Sequence, residues 1–162
     1  MQTLRLIISG LLIIVSTTIQ AQPKYGKMAD EIALPSLNGD TLKLSSLRGK
    51  VVLIDFWASW CGPCRISNKQ MVKLYPKYKD KGFEILGISL DEDPAKWKKA
   101  VGKDKISWLQ VIDGGGWDAK TVQAWQINAI PTSFLVDKEG RLIGMDLPPK
   151  ELEKALDALL AN

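Results

Sequence analysis

The sequence predicts an α/β fold: a central mixed sheet flanked by helices. Three observations carry this reading. Apolar runs of strand length alternate with stretches of helical spacing from residue 51 onward. Two short β-rich runs late in the chain flank a turn. The chain then closes on an amphipathic helix pattern. At 162 residues it is long enough for one domain with a substantial core and too short for two.

Taken in order, the first segment is "MQTLRLIISGLLIIVSTTIQAQ", in which Arg5 precedes an apolar run from Leu6 to Val15. That run is shorter than the 18 or more residues that span a bilayer and fits the core of a secretory signal peptide. Cleavage is expected after Ala21, so residues 1–21 are read as a signal peptide, with an uncleaved anchor as the alternative. Neither cysteine lies at this junction, which excludes lipid attachment through one. Residues 22–30 are polar and read as a flexible lead, and 31–162 as the folded domain. Within it, "GDTLKLSSLRGK" gives a short strand after a turn at Asn38-Gly39, then an irregular segment. "VVLIDFW" is nearly all apolar, as in a strand buried on both faces near the centre of a sheet.

Helical spacing then runs from Gly62 to Lys79, with Ile66, Met71, Leu74, Tyr75 and Tyr78 as its apolar face. Pro76 is expected to kink or end that helix. "FEILGISL" is the next strand, and Asp93-Pro94 opens a helix as a capping aspartate followed by proline at its first position. "WLQVID" is a further short strand, and "GGGWDAKTVQAWQI" a loop entering a helix. "SFLVD" and "RLIGM" flank "KEG" as a hairpin. Leu152, Leu156 and Leu159 line one face of the closing helix.

Composition narrows the function classes. Apolar residues make up 46% and charged residues 25%, an ordinary globular balance. The net charge is +4, but the lysines are scattered without an Arg/aromatic cluster, so a solvated basic surface is expected and nucleic acid is not. The chain has no histidine, which removes Cys-His couples and His-containing metal sites. Gly114-Gly115-Gly116 lacks the Lys-Ser/Thr of a phosphate loop. No flavin or nicotinamide motif is present, so no cofactor is expected.

Both cysteines fall in "FWASWCGPCR", as Cys61 and Cys64. A structural disulfide over so short a loop constrains the unfolded chain by only about 2 kcal/mol. Structural zinc would need four ligands, with only carboxylates available beyond the two thiols, so no metal is expected. The reactive reading has positive reasons. Cys61 sits where the central strand gives way to a helix, and unpaired N–H groups and the helix dipole there favour a thiolate. Cys64 lies one turn further in and can close onto Cys61. Pro63 suits the first helical turn, and Gly62 leaves room for another backbone. Asp55 stands inside an apolar strand, where an unpaired carboxylate is costly and burial would keep it protonated. The alternative for Asp55 is a solvent-facing or hydrogen-bonded group at a strand edge.

These residues resemble the thioredoxin superfamily, and the exported chain resembles its TlpA/ResA-like branch of extracytoplasmic thiol–disulfide oxidoreductases. The strongest stretches are "GKVVLIDFWASWCGPCR", "KGFEILGISLDED" and "AIPTSFLVDKEGRLI", within a likeness running from about Ile32 to Leu160. The resemblance implies a thioredoxin fold with an N-terminal strand extension and a strand–helix insertion before a cis-proline. It implies Cys61 as attacking nucleophile, Cys64 as resolving thiol and Asp55 as carrier of the Cys64 proton. It places Trp60 at the border of the site, packing being the alternative for an aromatic there. Pro131 matches the cis-proline, and Ile130 would offer backbone groups to an extended substrate.

The implied partners are disulfide-containing proteins in the periplasm and a membrane electron donor. Disulfide oxidase or isomerase, or a non-catalytic binding module, are the alternatives; oligomeric state is not legible. Many branch members carry a glutamate three residues after the second cysteine and a proline two further on, where this chain has Ser67 and Lys69. That departure favours a general or stress-linked reductant over a role in cytochrome c maturation. The peroxidase signature Pro-x3-Thr/Ser-x2-Cys is absent from "FWASWC".

Overall fold

A computed structural model describes residues 24–161. The leader read over residues 1–21 lies outside the described residues. No helix among those described is long and apolar enough to cross a membrane.

A small antiparallel pair, β1 (Ala33–Pro35) and β2 (Thr41–Lys43), comes first and forms the N-terminal extension. The main sheet contains β3 (Val51–Trp57), β4 (Phe83–Ser89), β5 (Leu109–Ile112), β6 (Thr132–Val136) and β7 (Leu142–Met145). Its order is β5-β4-β3-β6-β7. The β3–β4 and β4–β5 pairs are parallel, and the β3–β6 and β6–β7 pairs antiparallel. Every residue of β3 is buried, as its nearly continuous apolar run predicts for the middle strand.

Alternation along β3 divides the core in two. Val52, Ile54 and Phe56 face the layer that holds α2 (Pro94–Lys103), α3 (Lys120–Ala124) and the segment from Ala29 to Leu47. Val51 and Leu53 face α1 (Gly62–Tyr78) and α4 (Pro149–Leu159), where Met71, Leu74, Tyr75, Leu152 and Leu156 pack. Asp55 continues the second series and so points to the α1/α4 side. Between α1 and the β6–β7 hairpin lie β4, α2, β5 and α3, the inserted strand and helix included.

Local chemistry sets the element boundaries. The Asp93 side chain caps α2 by accepting the Ala95 N–H at 2.8 Å, and Pro94 follows as the first helical residue. The hairpin closes on Gly140, whose φ of +86° is left-handed and whose missing Cβ leaves room for the Arg48 guanidinium.

α1 ends at Tyr78, two residues past Pro76 and within the same turn, as the proline predicts. Two expectations are corrected. Ile66 is 62% exposed and not part of the buried face. Five residues before Met71, at about 100° each, it lies roughly 140° around the helix from it. The polar lead is held, not loose, from Gly26 to Ala29. Gly26 donates to the Leu142 carbonyl at 2.7 Å, Leu142 to Lys27 at 2.9 Å, and Ala29 to Gly140 at 2.9 Å. The outer strand β7 has main-chain groups to satisfy, and this pairing needs no apolar side chains.

Candidate active site

The end of β3 and the start of α1 bring the two cysteines to one end of the sheet. Cys61 is the N-cap of α1, in extended conformation, and Cys64 lies in its first turn. They form a disulfide with Cα atoms 5.3 Å apart. The Cys64 N–H donates to Cys61 Sγ at 3.2 Å, so a free N–H of the helix start is aimed at this sulfur. Such a donor, together with the helix dipole, stabilises a thiolate at Cys61 once the bond is reduced.

Cys61 is 6% exposed and Cys64 1%, which preserves the expected order of accessibility. Cys61 is nevertheless more covered than the sequence suggests. In this oxidised state its sulfur is bonded to Cys64 on one side and lies 3.8 Å from the Ile130 carbonyl oxygen on another. The Ile130–Pro131 peptide bond is cis, as the resemblance implies. The loop before β6 thus brings Ile130 to Cys61 across 69 residues of sequence.

Trp60 is 56% exposed and so lies outside the buried core. Its ring stands 6.3 Å from that of Trp117, also exposed, at 52°. A Cβ added at Gly62 would meet no atom within 4 Å. Among the described residues, no contact requires glycine at that position. Pro63 and Pro131 are likewise exposed.

Asp55 is buried on the central strand, and its carboxylate accepts no hydrogen bond among the described residues. Burial first, and the Asp146 carboxylate second, push its pKa from the ordinary carboxylate range to about 7. It lines a cavity of about 220 Å³ together with Ser67, Met71, Pro131, Ser133 and Asp146. The cavity thus brings Asp55 and Pro131 together, while Cys61 and Cys64 are not part of its lining.

A polar clamp that sequence reasoning missed holds the loop before Cys61. Asp91, two residues past the end of β4, accepts the Ser59 N–H at 2.9 Å, the Ser59 hydroxyl at 2.6 Å and the Ser89 hydroxyl at 2.7 Å. Arg65 donates to the Ser59 carbonyl at 3.0 Å and grips Asp104 with two of its nitrogens. Asn68 adds a further bond to Asp104 at 3.3 Å. Burial alone would push the Asp104 carboxyl up, but the Arg65 and Asn68 hydrogen bonds hold it below its usual range. An arginine next to the second cysteine and an acidic residue in "SLDED" are the only sequence signals of this clamp.

The comparisons with known proteins agree with this geometry. Residues 24–160 match the Redoxin family. The chain is 36% identical over 120 residues to the thiol-disulfide oxidoreductase ResA of Bacillus cereus, covering 74% of this chain and 68% of that protein. To the ResA of Geobacillus kaustophilus it is 31% identical over 137 residues, 83% of this chain and 77% of the other. Among solved structures, a thiol-disulfide oxidoreductase from Bacteroides fragilis superposes with a TM-score of 0.77 at 36% identity, over 83% of this chain and all of that one. The thioredoxin domain of a thiol-disulfide oxidoreductase from Bacteroides vulgatus gives 0.78 at 33% identity, over 85% and 98%. With its Cys61/Cys64 pair at the start of α1, the chain belongs to the Redoxin family as a TlpA/ResA-like thiol–disulfide oxidoreductase of the thioredoxin superfamily.

Proposed function

We propose that this protein is exported and reduces disulfides in protein substrates in the periplasm. The observation that carries the assignment of roles is the Cys64 N–H aimed at Cys61 Sγ at 3.2 Å, with Cys64 the more deeply buried sulfur. In the reduced protein, Cys61 thiolate attacks one sulfur of a substrate disulfide. That S–S bond breaks, the departing sulfur leaves as a thiolate and takes a proton from solvent, and a Cys61–substrate disulfide forms. The Ile130 carbonyl supports this reading as a main-chain acceptor for an extended substrate beside the sulfur.

Cys64 then gives its proton to ionised Asp55 and attacks Cys61. The mixed disulfide breaks, the second substrate sulfur leaves as a thiolate, and the Cys61–Cys64 disulfide remains. The substrate gains two electrons and the enzyme loses two. A dithiol donor at the membrane restores them by the reverse exchange. Proton transfer from Cys64 to Asp55 is supported by the burial of Asp55 and its pKa of about 7, which lets it hold or release a proton near neutrality.

Reduction of insulin with dithiothreitol as donor tests the chemistry. The protein is expected to accelerate it, and Cys61→Ser to abolish the acceleration. Equal performance by the serine variant would turn the assignment toward a binding module. Equilibration against glutathione buffers tests direction. A reductant is expected to have a potential near the thioredoxin value of about −270 mV, whereas one near about −120 mV would make the protein an oxidant. A phosphatase fused after the lead is expected to be active only if the leader directs export.

A further inference from the structure

We propose that Asp146 is a positioning residue for proton transfer: held at the solvent side of the cavity that Asp55 lines, its carboxylate sets how readily Asp55 gives up a proton. The inference rests on the reading of Asp55 as the carrier of the Cys64 proton.

Strand register places the two acids. Asp55 on β3 is the partner of Ser133 on β6. Ser133 in turn donates its N–H to Asp146 Oδ1 at 2.7 Å and accepts the Asp146 N–H at 2.9 Å. One residue, Ser133, thus sits between Asp55 and Asp146 and fixes both the backbone and the side chain of the latter. Asp146 adopts φ of +47°, a left-handed conformation that aspartate and asparagine tolerate better than most residues. It is exposed where Asp55 is buried, so the cavity runs from a dry acid to a wet one.

Among the described residues, no positive group lines the cavity. α1 contributes Ser67, Gln70 and Met71, α4 contributes Pro149 and Leu152, and β6 contributes Ser133. Asp146 is the only other charged side chain in the lining, and its second oxygen accepts no hydrogen bond among the described residues. A carboxylate facing another across a partly dry space, with no cation between, disfavours ionisation of the buried partner. Asp146 therefore favours the proton-bearing form of Asp55, and so governs the pH at which Asp55 can accept the proton of Cys64.

Carbon-13 carboxyl NMR of the full-length oxidised protein reads the Asp55 titration directly. Asp146→Asn keeps an oxygen for the Ser133 N–H and suits the left-handed backbone while removing the charge. Asp146→Lys reverses the charge at a backbone geometry that Lys105, φ +57°, already adopts in this chain. The Asp55 midpoint is expected to fall by about half a pH unit in the asparagine variant and further in the lysine variant. The pH profile for resolution of a Cys61 mixed disulfide is expected to move with it. An unmoved midpoint in both variants overturns the inference. A resolution rate unchanged in Asp55→Asn instead overturns the proton-carrier reading, and so removes the functional role of Asp146 even where the midpoint moves.

Discussion

Asp91 accepts both the backbone N–H and the hydroxyl of Ser59, at 2.9 and 2.6 Å, and so ties the loop two residues before Cys61 to the end of the neighbouring strand. Replacing Asp91 with alanine would strip partners from Ser59 and Ser89 in a buried setting. The expected cost is about 3 kcal/mol in urea unfolding of the oxidised protein. Alkylation of Cys61 in the reduced protein is expected to slow at the same time, because the N-cap geometry loses its anchor. Unchanged stability and reactivity would show that the loop holds its form unaided.

Arg65 links the other side of that loop to Asp104, and the pair gives a pH signature. Asp104 is held below its usual carboxylate range in the folded protein. Its contribution is therefore present above the unfolded value and lost as pH falls through the lowered folded one. Arg65→Ala is expected to destabilise the protein at pH 7 and to make little further difference in strong acid, where Asp104 is protonated in either case. Denaturant midpoints for both proteins from pH 7 down to pH 2 check this; a constant gap throughout would refute it.

Asp55 works in the opposite sense. Its folded pKa, about 7, lies above the ordinary aspartate value of 3.8. Between those values the folded protein keeps a proton that the unfolded chain has lost, so stability falls as pH rises through this window. Asp55→Asn is expected to be more stable than the parent at pH 8 by up to about 4 kcal/mol, with the gain vanishing near pH 4. The same variant is expected to resolve mixed disulfides more slowly. Thermal unfolding at the two pH values checks the first statement.

Gly87 on β4 offers a packing test away from the sulfurs. A Cβ there would come within 2.1 Å of the Gln110 amide nitrogen, and the Gln110 oxygen accepts the Trp57 indole N–H at 2.9 Å. Gly87→Ala is expected to displace Gln110, break that bond and cost about 1–3 kcal/mol in chemical denaturation. A neutral substitution would mean that Gln110 has another resting place.

Features carried by contiguous residues were legible in the sequence. The nearly continuous apolar run of β3, the Asp93-Pro94 helix start and the cysteine pair all rest on short-range chemistry. Asp55 was conspicuous because a carboxylate inside such a strand demands an account. The clamp was not legible, since its partners are far apart: Asp91 lies 32 residues from Ser59, and Asp104 lies 39 from Arg65. Asp146 depends on the pairing of β6 with both β3 and the turn after β7, which no local pattern encodes. Ile66 misled because an apolar residue near a helical face was counted as part of it. The lead misled because its order comes from main-chain bonding, to which composition is blind.

The N-terminal segment bridges to Arg141 beside β7 through Met28 and to Val111 on β5 through Ser36. Those are the two outer strands of the five-stranded sheet. Eight residues of extended chain reach about 26 Å, and five strands span about 19 Å, so the segment works as a strap from one flank to the other. By occupying both flanks it opposes sheet-to-sheet polymerisation, the hazard of any strand with idle main-chain groups. A single proteolytic cut within it would therefore be expected to loosen both flanks together and leave their main-chain edges open to other sheets.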